Sequence, residues 1–172
     1  MARAPLSLKA RAIGLLAQRE HSRSELRRKL LRIEQQQRAR LAATRTAGAF
    51  DGDEAASDDE PETAGSVVDA LLDTLAAAGY LDEARFVDSR LHIRAGRFGT
   101  QRIQQELAQH GLRLDAEQQA ALRATELERA REVWLRRFGV EPSRNPEERA
   151  RQTRFLLSRG FAPEVVHRLL RA

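Results

Sequence analysis

Residues 102–112 read Arg-Ile-Gln-Gln-Glu-Leu-Ala-Gln-His-Gly-Leu, a polar segment with two apolar side chains four positions apart and a glycine near its end. This spacing places Ile103 and Leu107 on one face of a helix. Gly111 can adopt the left-handed conformation that ends a helix, and the apolar residue after it then folds back onto the last turn. The segment therefore predicts a short amphipathic helix that stops at a glycine.

The same stop recurs along the chain. A glycine followed by an apolar residue ends an amphipathic segment at Gly79-Tyr80, Gly139-Val140 and Gly160-Phe161 as well. The stretch 107–112 also aligns with 156–161, glycine on glycine. Small helical units that recur in this way usually complete their cores against their neighbours, so the pattern indicates tandem repeats.

Helical spacing of apolar residues covers most of the chain, and no stretch has the sustained alternation of a β-strand. Capping patterns mark several helix starts. Ser22 and Glu25 have the spacing of a capping box, Asn145 precedes a proline and two glutamates, and Asp82 and Asp115 are further N-cap candidates. These signals predict about nine helices, at 8–19, 23–32, 66–78, 83–95, 100–110, 115–123, 125–138, 146–159 and 163–171.

We predict an all-α protein of three tandem three-helix repeats, elongated and curved. The first repeat spans 1–82 and contains an acidic low-complexity insertion at about 34–65, the second spans 83–123, and the third spans 124–172. Residues 51–65 carry seven acidic and no basic side chains, and no apolar residue larger than alanine. Because such a segment cannot offset its ordering entropy by burial, we expect the insertion to be disordered.

Composition excludes several classes of function. The 172 residues include no cysteine, which excludes disulfides and thiolate metal sites. The four histidines form no pair at metal-ligand spacing, and no phosphate-binding loop or nucleophile elbow is present. We therefore expect a protein that is not an enzyme and has no metal or cofactor. No apolar run has the length of a membrane span and the start lacks a signal peptide, so we also expect a soluble cytoplasmic protein.

Basic residues are the candidate binding groups, since the chain has 30 Lys and Arg against 25 Asp and Glu. They form two sets, the first on the second predicted helix and the second around the loop 96–99. The sets are Arg23, Arg27, Arg28 and Lys29, and Arg90, Arg94, Arg97 and Arg102. A stripe of this kind binds DNA phosphates or an acidic protein surface, or its members pair with glutamates and cover apolar surface with their stems. Phe98 fits either a core role or a contact role.

Four stretches together resemble the bacterial regulatory protein family RecX. Residues 15–30, from Leu15 to Leu30, are similar to that family's first repeat, and residues 72–86 to the join between the first and second repeats. Residues 99–112 resemble the second repeat, and residues 151–161 resemble the third. The resemblance covers nearly the whole chain except the insertion, and the four stretches follow the family's order.

The resemblance implies a modulator. Members of the RecX family bind the RecA recombinase and its filament on single-stranded DNA, and mostly inhibit its ATPase, strand-exchange and coprotease activities in DNA repair and the SOS response. It implies RecA as the partner, weak direct binding to DNA and a monomer. The residues that it assigns to partner or DNA binding are Arg23, Arg27, Arg28, Lys29, Arg94, Arg97 and Arg102.

Two other classes of function stay open. One is a basic helical DNA-binding module that acts on nucleic acid without RecA, and the other is an adaptor whose repeats bind a different helical partner. A DNA binder would show affinity for DNA alone that falls steeply with salt. A RecA modulator would act on the filament at a concentration far below that of the DNA nucleotides.

The insertion departs from the family, in which the second and third helices are joined by a short connection. If the insertion lies near the basic face, its acidic residues would compete with DNA phosphate or RecA for that face. The insertion would then act as an intrasteric brake, that is, a segment of the chain that inhibits its own binding surface. The alternative is a tolerated loop, because long surface insertions cost little closure entropy. Deletion of residues 36–64 separates these hypotheses. An unchanged binding affinity with an unchanged salt dependence would contradict the brake hypothesis.

Overall fold

The computed structural model describes residues 6–48, 61–139 and 145–171. Within these ranges the chain is helical, with turns between the helices and no strand, which confirms the all-α prediction. The described helices are α1 (Leu8–Leu16), α2 (Arg23–Gly48), α3 (Pro61–Ala77), α4 (Glu83–Ala95), α5 (Thr100–Ala108), α6 (Ala116–Ala124), α7 (Glu126–Phe138), α8 (Pro146–Ser158) and α9 (Pro163–Arg171).

The predicted extent of the second helix and of the disordered insertion is wrong. Helix α2 continues to Gly48 rather than ending at residue 32, and α3 begins at Pro61 rather than at residue 66. Residues 35–43 are Gln, Arg, Ala and Leu, which favour a helix through intrinsic propensity even where little surface is buried. The acidic residues 51–60, on which the brake hypothesis depends, lie outside the described residues.

The chain divides into two compact units, Met1–Glu83 and Ala84–Ala172. In the first unit, α1, α2 and α3 share an apolar cluster that includes Leu26, Leu30 and Leu72. The second unit contains two clusters. That of α4–α6 includes Phe86, Ile103 and Leu107, and that of α7–α9 includes Trp134, Leu156 and Phe161. Each group of three helices therefore has its own core, and the proposed repeat boundary at residues 123 and 124 stays a prediction.

The four predicted glycine stops are confirmed. Gly79, Gly111, Gly139 and Gly160 have φ values of 75°, 77°, 95° and 79°, the left-handed region that side chains with a Cβ rarely adopt. After α8, the N–H of Phe161 donates to the carbonyl of Leu156 at 3.3 Å, and the N–H of Gly160 donates to the carbonyl of Leu157 at 2.9 Å. These are the hydrogen bonds of a Schellman motif, and they fold Phe161 into the core with none of its surface exposed.

Tyr80 differs from Leu112 and Phe161, which follow glycine stops and pack into apolar clusters, while Val140 lies outside the described residues. Tyr80 is 50% exposed, and Leu81, one position later, is buried in the first unit instead. The prediction that the residue directly after the glycine packs onto the helix is therefore wrong at Gly79, although the Tyr80 N–H still donates to the Leu75 carbonyl at 2.9 Å.

The predicted helix starts at Asp115, Asn145 and Ser22 are confirmed by side-chain hydrogen bonds. Asp115 and Gln118 form a reciprocal capping box, and the Asn145 side chain accepts from the N–H of Glu147 at 2.9 Å. Ser22 Oγ accepts from the Glu25 N–H at 3.2 Å. Each bond satisfies a donor at a helix N-terminus that has no partner within the helix.

The start of α5 packs directly on the end of α8. The N–H of Gly99 donates to the Arg159 carbonyl at 2.9 Å, and the N–H of Gln101 donates to the Gly160 carbonyl at 3.2 Å. A Cβ on Gly99 would overlap the Gly160 carbonyl group, and a Cβ on Gly160 would lie 2.5 Å from the Arg102 backbone nitrogen. Both positions therefore need glycine for this backbone contact.

A buried carboxylate stabilises the same junction. Glu126, at the start of α7, is 3% exposed and accepts hydrogen bonds from the Thr100 N–H and hydroxyl at 3.0 and 2.9 Å. It also accepts from the N–H of Ala162 at 3.3 Å, so one carboxylate binds the chain where α5 and α9 begin. Removing a carboxylate with these buried partners would leave their donors unsatisfied.

Arg129 connects α7 to the preceding three helices. Its guanidinium donates to the carbonyls of Ala95, Phe98 and Leu122 at 3.0, 2.7 and 2.8 Å. Burial lowers the pKa of Arg129, an effect that the charge of Glu126 opposes. Arg129 thereby satisfies carbonyls of the α4–α5 and α6–α7 turns.

We predict that Gly99→Ala destabilises the chain by about 1–3 kcal/mol, because the methyl group meets backbone that cannot move aside. The measurement is thermal or urea unfolding followed by circular dichroism. Gly96→Ala is the matched control, since a Cβ there has no atom within 4 Å. Equal unfolding midpoints for the two variants would contradict the assigned contact.

Candidate functional site

Arg23 and Arg27 of the first predicted set form ion pairs with α3. Arg23 Nη2 lies 2.7 Å from Asp73 Oδ1, and Arg27 donates from Nε and Nη2 to the two carboxylate oxygens of Asp69 at 2.7 and 2.9 Å. The hydrogen bond and charge of Arg27 lower the pKa of Asp69. These two arginines therefore join α2 to α3 within the first unit.

Lys29 belongs to a partly buried network at the start of α2. Its ammonium nitrogen lies 2.9 Å from His21 Nε2 and 3.3 Å from Glu25 Oε1. Arg19 binds the same Glu25 carboxylate through both terminal nitrogens. Burial by itself raises the pKa of Glu25, but hydrogen bonds and charge, chiefly from Arg19, lower it to about 2.

His21 is the buried member of this network, with 1% of its surface exposed. Its Nδ1 lies 2.9 Å from the Arg19 carbonyl, and its Nε2 faces the Lys29 ammonium group. A neutral ring with its proton on Nδ1 satisfies both contacts, because Nδ1 donates to the carbonyl and Nε2 accepts from Lys29. Burial also lowers the pKa of His21, consistent with the neutral form.

Arg28 differs from its three neighbours. Its side chain is exposed, and no carboxylate of the described residues pairs with it. The first predicted set therefore contains one uncommitted guanidinium, while Arg23, Arg27 and Lys29 contact carboxylates of their own unit.

The second predicted set surrounds an aromatic ring in the second unit. The guanidinium carbons of Arg94, Arg97, Arg102 and Arg159 lie 5.3, 6.0, 5.9 and 5.6 Å from the centre of the Phe98 ring. We call these five residues the Phe98 cluster. Cations near an aromatic face are attracted by its quadrupole, so the ring partly compensates the repulsion between the four charges. Phe98 is half-buried and packs against the α4–α6 core, which supports the core role, while its contact role stays a prediction.

Arg159 was absent from the residues predicted for the site. It lies at the end of α8, next to Gly160, and its guanidinium also donates to the Arg97 carbonyl at 3.3 Å. The signal in the sequence was its place before a glycine stop. That signal alone does not show which loop Gly160 contacts, and the contact with Gly99 is what brings Arg159 to Phe98.

A polar groove of about 320 Å³ adjoins the Phe98 cluster. Glu106 lines it together with Arg94 and Arg102, with Oε2 at 2.9 Å from Arg94 Nε and Oε1 at 3.7 Å from Arg102 Nε. The other side chains that line it are Arg90, Gln105, Gln109 and His110. Arg90 lies over the Phe86 ring at 5.2 Å. The cluster and groove together contain five arginines and one glutamate, which makes this surface suited to a multiply charged anion.

Among residues 6–48, 61–139 and 145–171, no group of three or more His, Asp or Glu side chains is placed to hold a metal ion. No helix in the same ranges is long and apolar enough to cross a membrane.

A family model and individual relatives both match this chain. Residues 124–170 match the family model described as RecX, third three-helix domain. Proteins named Regulatory protein RecX from Leptothrix cholodnii and Ralstonia nicotianae are 47% and 45% identical to the chain, each over 98% of its length, and the match covers 90% and 89% of those proteins. A third, from Herminiimonas arsenicoxydans, is 43% identical over 100% of the chain and 96% of its own length.

We predict that acid destabilises the chain through His21 first and Glu25 second. Because the folded state holds the pKa of His21 below the unfolded value near 6.5, the unfolded chain binds more protons and the free energy of unfolding falls below pH 6.5. The pKa of Glu25 is also lower when folded, so further stability is lost as pH falls from about 4.5 to about 2.

Two measurements check this order. Urea unfolding at pH 8, 6.5 and 5 should give a midpoint that declines between the last two values. A proton NMR titration should place the imidazole of His21 below 6.5, with its resonance identified by its loss in His21→Gln. A His21 pKa at or above 6.5 would contradict the neutral, buried ring.

Proposed function

The chain belongs to the RecX family of regulatory proteins, and on that premise we propose that it binds the RecA recombinase and its filament on single-stranded DNA. In this proposal it mostly inhibits the ATPase, strand-exchange and coprotease activities of RecA, in DNA repair and the SOS response. The observation that carries the proposal is the near full-length similarity to proteins named Regulatory protein RecX. The site of action is the cytoplasm, where RecA assembles.

The proposed mode of action is regulatory binding by a monomer rather than catalysis. A modulator of this kind needs a surface complementary to its partner, and the two basic sets supply positive charge for acidic patches on RecA or for DNA in the filament. The proposed contacts remain Arg23, Arg27, Arg28, Lys29, Arg94, Arg97 and Arg102.

The ion pairs divide these seven residues into two groups. Arg28 and Arg97 are exposed and have no carboxylate partner among the described residues. Each can therefore bind an anion of a partner without breaking an existing ion pair. Arg23, Arg27 and Lys29 would have to exchange Asp73, Asp69 and Glu25 for a partner's carboxylate. We therefore expect substitution of Arg28 or Arg97 to change partner binding without loss of stability.

We predict that the purified protein inhibits ATP hydrolysis by RecA on single-stranded DNA at well below equal concentration. The assay titrates the protein against RecA, beside a gel shift on the same DNA without RecA. Arg28→Ala should raise the concentration for half inhibition severalfold. Arg131→Ala is the matched control, because Arg131 is also exposed and has no ion pair among the described residues.

The alternative is a basic helical module that acts on nucleic acid without RecA, and the Phe98 cluster is the observation that favours it. Under this alternative, ATP hydrolysis falls only when the protein saturates the DNA itself. The DNA affinity from the gel shift would then account for the whole inhibition curve, and the proposal that the chain binds RecA would be wrong.

A further inference from the structure

A groove of about 170 Å³ lies between α8 and α9, and it shares no residue with the Phe98 cluster. We call it the α8–α9 groove. Its apolar lining consists of Leu157, Pro163, Val166 and Leu170. Val166 and Leu170 are 2% and 6% exposed, whereas Leu157 is 41% exposed, so a buried floor adjoins an apolar side chain in contact with water. Because a cavity of about 150 Å³ holds a benzene molecule, this groove has room for one apolar side chain.

The polar lining of the α8–α9 groove contains a cation that is fixed in place. Arg149, Thr153 and His167 complete the lining, and no carboxylate of the described residues belongs to it. The Arg149 guanidinium donates to the Leu170 carbonyl at 3.1 Å, which holds it where α9 ends. Arg149 has no ion pair among the described residues, so its charge remains available to a partner.

Two further arginines flank the groove. Arg154 precedes Leu157 by three positions and Arg171 follows His167 by four, and residues at these spacings are neighbours on a helix surface. Both arginines are exposed, and neither forms an ion pair within the part of the chain that the structure describes. Residues 145–171 contain six arginines against three glutamates. The rim of the groove is therefore complementary to carboxylates.

The shape of the α8–α9 groove favours a helix as its occupant. Helices that pack side by side leave a groove between them, where an amphipathic helix docks with apolar anchors every three or four residues. All seven lining residues lie within α8 or α9, whose backbone groups are used inside those helices, so the groove has no free edge for a strand. Nucleic acid has a charge on every nucleotide and gains little from an apolar floor.

We propose that the α8–α9 groove binds an acidic amphipathic helix of a partner protein. One apolar side chain of that helix fills the groove against Leu157 and the floor, and its flanking carboxylates pair with Arg149, Arg154 and Arg171. The apolar anchor supplies most of the affinity, and the charges select the partner and its orientation. This inference goes beyond the proposed function, because none of these residues belongs to the seven that we propose as contacts for RecA or DNA.

The probe is a fluorescein-labelled synthetic peptide of about 18 residues, with leucines at the helical spacing i, i+3, i+4 and i+7 and glutamates beside them. Fluorescence anisotropy measures its binding to the full chain at low salt. One comparison peptide has the same composition in scrambled order and so lacks an apolar face, and another has glutamine in place of every glutamate. We expect the acidic amphipathic peptide to bind more tightly than either comparison peptide.

Two variants test the parts of the groove separately. Leu157→Ala should weaken binding of the acidic peptide about tenfold, because it removes the exposed apolar wall. Leu135→Ala is its matched control, since Leu135 is 37% exposed in the same unit and does not line the groove. Arg154→Ala should weaken binding about threefold and reduce its salt dependence, whereas Arg131→Ala should not. Circular dichroism of each variant establishes that it is folded.

Four results would overturn the proposal. Equal weakening by Leu157→Ala and Leu135→Ala would reject the groove, and equal binding of the scrambled peptide, or no binding of the acidic one, would reject the amphipathic helix. Displacement of the peptide by an oligothymidine whose binding is lost in Arg154→Ala would assign the groove to nucleic acid. Sedimentation of the chain alone as a dimer that Leu157→Ala dissociates would assign it to a second copy.

The RecA ATPase assay with the same variants keeps this inference separate from the proposed function. Loss of peptide binding in Leu157→Ala supports the groove, whether that variant still inhibits RecA or not. Retained inhibition would show that the helix comes from another partner, and lost inhibition would show that it comes from RecA. Inhibition absent in the unsubstituted protein would reject the proposed function alone, because the peptide experiment contains no RecA.

Discussion

The backbone contact between Gly99 and Gly160 is the constraint on which the second unit depends. It joins the start of α5 to the end of α8 through two hydrogen bonds, and neither position has room for a Cβ. Glu126 binds the same junction from α7, so three helices meet at one buried carboxylate. The contact also sets the candidate site, because Phe98 precedes Gly99 and Arg159 precedes Gly160. A residue change that opened the junction would therefore disturb stability and charge placement together.

The two basic sets show that the same residue type can serve different purposes in one chain. In the first unit, Arg23 and Arg27 stabilise the packing of α2 on α3, and Lys29 donates to the buried His21. In the second unit, four arginines gather around one ring, and two of them, Arg94 and Arg102, share a single glutamate. Exposed ion pairs contribute little stability each, but they do reduce the charge that is available to a partner. The second unit is therefore the stronger candidate for anion recognition.

Helix ends were predictable from single residues, while the length of α2 was not. The four glycine stops and the caps at Asp115 and Asn145 depend on local backbone geometry, which a few neighbouring residues decide. Disorder from residue 34 was expected because that segment buries little apolar surface. Helix α2 nevertheless continues to Gly48, since alanine, glutamine and arginine support a helix already nucleated by its packed first half. The second half of α2 is helical because the helix continues from its packed first half, and the composition of the second half alone does not show this.

The sequence by itself determined the all-α class, the positions of most helices, their glycine stops and the family. Each follows from spacing, capping or similarity along the chain. Only the tertiary structure decided which charges are paired and which side chains converge. Asp69 lies 42 residues from Arg27, and Arg159 lies 62 residues from Arg97, so neither contact leaves a local pattern. The physical reason is that helix signals act within a few residues, whereas ion pairs and the Phe98 cluster exist only after distant helices pack.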